Sequence, residues 1–244
     1  MSDFYAQDLS FIHHQGFSAF ASEAGAGLRK LLVDAGIRRG VIVDLGCGSG
    51  IWAKQLTDEG YEAVGVDSSP AMIEIARSVA PRARLYLRPI HRFGFPLCAA
   101  VTALGEVLSY SVDTAEDVLL ADILARIAAA LVPGGLLIFD LMMRATNQPM
   151  RYDSEHHGPN WQVRVEAIED PARSQLTRRI TTTVMEPESG ERQQVETHLL
   201  RTYDSVQVEG WLKAAGFTVE TVNHYGTLKL GPQRLGFVAR KRAR

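Results

Sequence analysis

Cysteine is scarce in this sequence, in which Cys47 and Cys98 are the only two among 244 residues. Two cysteines exclude a disulfide-stapled fold and a zinc site built on cysteine, and a chain of this length can bury a core without either. The low cysteine content is typical of a reducing compartment, so we expect a cytoplasmic protein. Long apolar runs are also missing, and the first ten residues lack a signal-peptide pattern, so we expect no membrane partner.

Neither sign of charge dominates the composition. Lysine and arginine together number 26 and aspartate and glutamate 28, which gives a net charge of −2. A broad nucleic-acid-binding face needs an excess of basic residues to neutralise phosphates. We therefore expect no nucleic-acid partner.

Short apolar runs alternate with helical patterns through the first 142 residues. The β-branched runs VIVDL and EAVGVD are typical of strands buried on both faces, and strand–helix alternation predicts an α/β fold with a parallel sheet covered by helices on both faces. The predicted strands cover 41–45, 62–67, 82–87, 97–104 and 136–141, and the predicted helices cover 16–35, 51–60, a segment from Pro70, 115–131 and 205–217.

The pattern changes after residue 142. Residues 161–168, 175–186 and 192–203 alternate polar and apolar side chains, which predicts antiparallel strands with one face in water. Residues 151–160 (RYDSEHHGPN) are interpreted as a polar linker in which His156 and His157 are exposed. The sequence thus predicts a single domain, 1–244, in four parts: a helical segment at 1–36, an α/β core at 37–142, a β-rich insertion at 143–203, and a closing helix and strands at 204–244.

The loop between the first strand and the next helix contains Gly46, Gly48 and Gly50. Glycines at such a turn let a ligand lie directly against the backbone. Asp67 ends the next strand, 21 residues after Gly46, where a carboxylate can accept hydrogen bonds from ribose hydroxyls.

Two kinds of nucleotide ligand fit this loop. Residues 48–53 match the loose G-x-G-x-x-A dinucleotide pattern, which leaves an NAD-dependent oxidoreductase as one hypothesis. Asp44, however, would point towards a bound pyrophosphate. A carboxylate at that position favours a positively charged nucleoside without phosphate.

The segments Asp44–Gly50 (DLGCGSG) and Val64–Met72 (VGVDSSPAM) together resemble the class I S-adenosylmethionine-dependent methyltransferases. Residues 131–138 (LVPGGLLI) are similar to that family's turn into its fifth strand, and the resemblance covers about 37–142 and 211–217. It implies a Rossmann-like, seven-stranded, mostly parallel sheet with an inserted antiparallel segment. It also implies S-adenosyl-L-methionine as the cofactor, a core at 37–142 that binds it, and a lid at 1–36.

The resemblance further implies roles for individual residues. Asp44 would lie near the amino-acid and sulfonium end of the cofactor, Asp67 would bind the ribose, and Ser68 and Met72 would border the adenosine. Residues 87–92 contain no carboxylate for the adenine amino group, so backbone or apolar contacts are expected there. No metal is expected, and the full set of expected cofactor-binding residues is Asp44, Gly46, Cys47, Gly48, Asp67, Ser68, Met72, Leu104, Gly105 and Glu106.

Methyl transfer is an in-line displacement, and an enzyme accelerates it mainly by aligning the reactants. An amine attacks once it is deprotonated, whereas a hydroxyl usually needs a general base, most often histidine. His13 and His14, interpreted as preceding the first helix, are the first candidate catalytic residues, followed by Glu106 and Tyr110. Further candidates for substrate orientation are Arg144, Tyr203 and Tyr225.

Missing motifs narrow the substrate. The chain has no Asn/Asp-Pro-Pro-aromatic signature of base amino methylation after the fourth strand, and no proline–cysteine pair precedes Cys98. We therefore expect methyl transfer to a nitrogen or oxygen of a small molecule, with the insertion acting as a pocket wall or a homodimer interface. A non-catalytic cofactor-binding regulator and a protein or RNA methyltransferase remain alternatives.

Overall fold

The computed structural model describes residues 5–110, 120–186 and 190–243. The α-helices are α1 Gln7–Asp34, α2 Ile51–Asp58, α3 Pro70–Val79, α4 Leu120–Ala130 and α5 Ser205–Ala214. The strands are β1 Val41–Leu45, β2 Glu62–Asp67, β3 Arg84–Leu87, β4 Cys98–Ala103, β5 Leu131–Met142, β6 Arg151–His157, β7 Trp161–Asp170, β8 Gln175–Glu186, β9 Gly190–Arg201, β10 Phe217–Val222, β11 His224–Tyr225, β12 Leu228–Lys229 and β13 Arg234–Lys241. The helix predicted over 115–131 begins with residues 115–119, and these lie outside the described residues.

The main sheet has seven strands in the order β10-β13-β5-β4-β1-β2-β3. The five strands from β5 to β3 run parallel, and β13 pairs antiparallel with β5 and β10. Helices cover both faces: α4 and α5 pack on one apolar cluster, and α1 and α2 on the other. The predicted fold class is confirmed.

β5 begins earlier than the strand predicted over 136–141. Leu131 already pairs with Cys98, and Leu136 pairs with Ala100, so the proline–glycine–glycine segment bulges out between two paired positions. Gly134 has φ +77°, a left-handed conformation that glycine adopts without strain. The predicted turn is therefore contained within the strand.

The insertion forms a separate antiparallel sheet in the order β6-β7-β8-β9. The prediction of a polar linker over 151–160 is wrong, because residues 151–157 form strand β6. β6 is an edge strand and most of its side chains, including His156 and His157, are exposed, so it shows no apolar alternation. A strand with one partner and a polar face gives little signal in a sequence.

α1 begins at Gln7, nine residues before the predicted helix. The interpretation that His13 and His14 precede the first helix is therefore wrong, because both lie within α1. Leu9 and Ile12 extend the apolar stripe of α1 and pack against Trp161 of the insertion sheet. Gly16, where the predicted helix begins, lies inside α1 and leaves room for Trp161, since a Cβ there would lie 2.6 Å from the Trp161 ring.

The two ends of the insertion meet beside the end of β5. Tyr203 N donates to Met142 O at 2.9 Å, and Arg144 N donates to Tyr203 O at 2.8 Å. The insertion therefore leaves and rejoins the core at one point. No helix in the described ranges is long and apolar enough to cross a membrane.

Candidate active site

A cavity of about 890 Å³ lies at the carboxyl ends of β1, β2 and β4, beneath α1. In parallel α/β sheets this is the edge at which ligands bind. Expected site residues that line the cavity are Asp44, Gly46, Cys47, Gly48, Asp67, Ser68, Met72, Leu104, Gly105, His13 and Tyr110. Residues 87–92, expected near adenine, also line it.

The glycine loop is shaped by left-handed backbone. Gly46, Gly48 and Gly50 have φ values of +63°, +51° and +80°. A Cβ on Gly46 would lie 2.4 Å from Val107, so this position has no room for a side chain. A Cβ on Gly48 would meet only the Met72 sulfur, at 3.9 Å, so its place is open for a ligand.

Asp67 joins this loop to the start of α3. Its carboxylate accepts hydrogen bonds from Gly48 N at 2.9 Å and from Ser69 N at 2.8 Å. Burial raises the pKa of Asp67, and these backbone donors oppose the rise. The carboxylate is thus fixed in orientation at the cavity wall, where its remaining lone pairs can accept from hydroxyl groups.

Asp44 lies at the end of β1 and is only 3% exposed. Thr102 Oγ1 donates to Asp44 Oδ1 at 2.9 Å, and Trp52 Nε1 donates to Thr102 Oγ1 at 3.2 Å. Burial raises the pKa of Asp44 to about 7. A cationic ligand would interact favourably with a carboxyl group of this pKa, because a positive charge favours its ionised form.

Glu106 has different partners from those expected of a cofactor-binding residue. Its carboxylate pairs with Arg178 and Arg234, and it is absent from the described lining of the cavity. Burial would raise the pKa of Glu106, but the two arginines outweigh burial and hold it below its ordinary value. Glu106 does help to shape the cavity floor, since the backbone N–H groups of Gly105 and Glu106 donate to Asp140 at 3.0 and 2.8 Å.

The two histidines of α1 differ in position. His13 lines the cavity and contacts the Tyr5 ring edge-on, with the ring centroids 5.3 Å apart, whereas His14 is not among the described lining residues. Burial lowers the pKa of His13 to about 4. Its Nδ1 is buried and has no hydrogen-bond partner among the described residues.

Tyr5 lines the cavity but was not found from the sequence. Tyr5 precedes α1, and its hydroxyl lies 3.2 Å from the Tyr110 hydroxyl, while its backbone N donates to Glu196 Oε2 at 2.8 Å. These contacts link positions more than 100 residues apart, which no local pattern reports. Of the orientation candidates, Tyr203 lines the cavity, and Arg144 and Tyr225 are absent from its described lining.

A protein-family model described as a methyltransferase domain matches residues 14–222. The chain belongs to this methyltransferase family. The predicted resemblance to class I S-adenosylmethionine-dependent methyltransferases, the enzyme class and the cofactor are confirmed, and the match favours them over an NAD-dependent oxidoreductase.

Similar proteins carry methyltransferase names. A protein of Geobacillus sp. (strain WCH70), named as a methyltransferase, is 27% identical over 189 residues, which cover 73% of this chain and 74% of that protein. The amino pentose methyltransferase CalS10 of Micromonospora echinaspora, solved with S-adenosylmethionine bound, has a TM-score of 0.73 at 20% identity, with 99% of both chains covered. The sugar N-methyltransferase KedS8 of Streptoalloteichus has a TM-score of 0.75 at 22% identity, with 98% of this chain and 93% of that chain covered.

The hydrogen-bonding and charged groups of the cavity fit those of S-adenosylmethionine, the cofactor of this methyltransferase. The open place above Gly48 admits a ligand against the backbone, the Asp67 carboxylate is held where it can accept from hydroxyls, and Asp44 is a buried carboxyl with one hydrogen-bonding side chain, Thr102. A ribose hydroxyl could donate to Asp67, and a cationic sulfonium would be favoured beside the Asp44 carboxylate.

Proposed function

We propose that this methyltransferase transfers the methyl group of S-adenosylmethionine to the nitrogen of a small-molecule amine. The observation that carries the proposal is one continuous cavity of about 890 Å³. Its sheet side contains the glycine loop and Asp67, and its helix side contains Tyr5, His13 and Tyr110. Small-molecule sites typically measure about 300–1,000 Å³, so the cavity can enclose the cofactor together with a small acceptor.

An amine nitrogen is the preferred acceptor because it needs no general base, and His13 is poorly suited to act as one. A hydroxyl acceptor needs a general base whose pKa lies near the working pH. His13, the histidine that lines the described cavity from α1, has its pKa lowered to about 4 by burial, so it is neutral at pH 7 and a weak base. An amine attacks with its own lone pair once it has lost a proton. The names of similar proteins, which include an amino pentose methyltransferase and a sugar N-methyltransferase, agree with this preference.

The residues of the chain then orient and enclose the reactants. Bound S-adenosylmethionine supplies an electrophilic methyl group on a positively charged sulfur. Asp67 would hold the ribose hydroxyls and Asp44 would face the cationic end. The aromatic groups Tyr5, Phe17 and Tyr110 would exclude water from the acceptor, which favours alignment of the nitrogen with the methyl carbon.

The acceptor can be identified with matched pairs of compounds. We expect labelled methyl transfer to glucosamine or ethanolamine, or to another amine of a wider panel, and no transfer to the corresponding hydroxyl compounds, glucose and ethylene glycol. Transfer to the hydroxyl members instead would contradict nitrogen as the acceptor. Cofactor binding without turnover of any small molecule would favour the regulator or the macromolecular methyltransferase.

The role of Asp67 can be tested separately from turnover. Asp67→Asn keeps the shape of the side chain but removes the charge that accepts from ribose, so we expect binding of S-adenosylhomocysteine to weaken by about tenfold or more. Calorimetric titration measures the change. Asp58→Asn, at an exposed carboxylate paired with Lys54, is the matched control and should bind like the wild type. Equal affinity in Asp67→Asn would reject the ribose contact.

A further inference from the structure

Aromatic rings line the helix side of the cavity in one row, which consists of Tyr110, Tyr5, His13 and Phe17. The ring centroid of Tyr5 lies 6.3 Å from that of Tyr110 and 5.3 Å from that of His13. The centroid of His13 in turn lies 6.0 Å from that of Phe17. His13 thus adds two ring nitrogens to this aromatic row, and methyl transfer to an amine needs neither of them as a base.

The His13 imidazole contains an atom that the protein leaves unpaired. Its Nδ1 is buried and makes no hydrogen bond to any residue that the structure describes. Buried polar atoms in folded proteins nearly always have a partner, and one without a partner lowers stability. A phenylalanine would fill the same place in the aromatic row without that loss. Because His13 lines the cavity, a molecule bound there can hydrogen-bond to the ring.

Position distinguishes His13 from its neighbour His14. Nδ1 of His14 is also buried, and within the described residues it too has no partner. His14, however, is absent from the described lining of the cavity, so a ligand in the cavity does not explain its unpaired nitrogen. The unpaired nitrogen and the adjoining cavity occur together at His13, and the two observations jointly indicate a ligand contact there.

Carboxylates are confined to one side of the cavity. Asp44 and Asp67 line it, and both lie on the sheet side with the glycine loop. The helix side, as far as the structure describes it, has no carboxylate, so an amine there must donate to a neutral group. His13 is such a group, because burial lowers its pKa to about 4 and leaves the ring uncharged at pH 7. A neutral imidazole has one N–H group and one acceptor nitrogen.

We propose that His13 binds the acceptor of methyl transfer, its imidazole accepting a hydrogen bond from an N–H group of the amine. The inference rests on the proposed function. An amine that donates through N–H keeps its lone pair free, and this lone pair forms a bond to the methyl carbon while the carbon–sulfur bond breaks and its electron pair stays on sulfur. The product nitrogen is positively charged and later loses a proton to water. His13 neither gains nor loses a proton.

Variants at position 13 test the contact. His13→Phe keeps a ring in the aromatic row and removes the acceptor, whereas His13→Asn and His13→Gln place an amide oxygen near the positions of Nδ1 and Nε2. With the best amine of the panel above, we expect kcat/KM to fall about tenfold or more in His13→Phe, because the amine N–H is left unpaired, and to recover partly in one amide variant. His224→Phe is the matched control and should match the wild type, since His224 is exposed on β11 and absent from the described lining.

Two further measurements distinguish this contact from a structural role. The dissociation constant for S-adenosylhomocysteine should stay within about twofold in every variant. The unfolding temperature of His13→Phe should equal or exceed that of the wild type, because the substitution removes an unpaired buried nitrogen. Wild-type kcat/KM in His13→Phe, or no recovery in either amide variant, would overturn the inference. So would binding of S-adenosylhomocysteine weakened tenfold with an unchanged KM for the amine, which would place His13 at the cofactor.

The wild-type enzyme provides a test that does not depend on a variant that folds. The N-ethyl and N,N-dimethyl derivatives of the best amine are isomers, but the first retains an N–H group in its neutral form and the second does not. We expect the complex with S-adenosylhomocysteine to bind the N-ethyl derivative about tenfold or more tightly, measured by calorimetric titration. Equal affinity for the two isomers would overturn the inference. A wild-type enzyme that binds S-adenosylhomocysteine but methylates no amine would reject the proposed function, and the inference with it.

Discussion

At the scale of single residues, the protonation of Asp44 should make the binding of a cationic ligand depend on pH. Its pKa, raised to about 7 by burial, means that the free protein holds a proton there in about half of the molecules near neutral pH. A cationic ligand favours the carboxylate and must displace that proton. The affinity for S-adenosylmethionine should therefore rise as the pH is raised towards 7 and level off above it.

Calorimetric titrations at pH 5.5, 6.5 and 7.5 would measure this dependence. We expect the wild-type affinity to increase by about tenfold over the range, because each pKa unit corresponds to about 1.4 kcal/mol. Asp44→Asn should bind more weakly and lose most of the pH dependence. An unchanged pH dependence in Asp44→Asn would assign the proton to another group, for which Asp67 is the next candidate because burial also raises its pKa.

Residues within one motif could be predicted from the sequence, and residues that meet through the fold could not. The glycine loop and Asp67 belong to a single strand–loop–helix–strand unit whose spacing is visible in the chain. Tyr5 lines the cavity and Arg178 pairs with Glu106, and no local pattern joins either of their segments to the glycine loop. The one available signal for Arg178 was the alternation Leu176, Arg178, Ile180, which places a charge on the buried face of β8.

At the scale of elements, two helical glycines should respond oppositely to the same substitution. Gly27 in α1 lies against the turn after β11, and a Cβ there would be 2.3 Å from Gly226 N. Gly210 in α5 has nothing within 4 Å of an added Cβ. Gly210→Ala should raise the free energy of unfolding by about 0.5–1 kcal/mol, because alanine has the higher helix propensity. Gly27→Ala should lower it by about 1–3 kcal/mol through overpacking.

Urea unfolding of the two variants checks both signs. Stabilisation by Gly27→Ala would show that the turn after β11 can move away from α1, contrary to the close backbone contact.

Elements buried on both faces were predicted best. Strands β1 and β2 match their predicted bounds because an apolar β-branched run between glycine turns fits few other structures. β6 and the first turns of α1 were missed because a different part of the chain stabilises each. β6 pairs with β7 at the sheet edge, and the start of α1 packs on Trp161.

At the scale of the whole molecule, the Tyr5 backbone ties the insertion sheet to the start of α3 in the α/β core. Its N–H donates to Glu196 of β9, and its C=O accepts from Ser69 Oγ at 2.7 Å. Ser69 also caps α3 by accepting from Met72 N at 3.1 Å. Ser69→Ala should therefore cost about 1 kcal/mol of stability and also loosen residues 5–12.

Asp204→Ala separates these two effects, because Asp204 caps α5 at Gln207 and is far along the chain from Tyr5. Both variants should lose similar stability, and only Ser69→Ala should show faster amide hydrogen exchange at the start of α1. Equal exchange in the two variants would mean that the Ser69–Tyr5 bond holds nothing in place.

The meeting of the insertion's two ends beside β5 has a consequence for how such enzymes diversify. Backbone hydrogen bonds among Met142, Arg144 and Tyr203 close the junction, so the sheet between them can change in length or pattern without altering the path of the core. The rest of the fold lies outside that junction and also meets the sheet through the hydrogen bond from Tyr5 N to Glu196. Exchange of the segment 144–202 for its counterpart in a similar enzyme would therefore test whether acceptor preference moves with the sheet while the glycine loop and Asp67 stay unchanged.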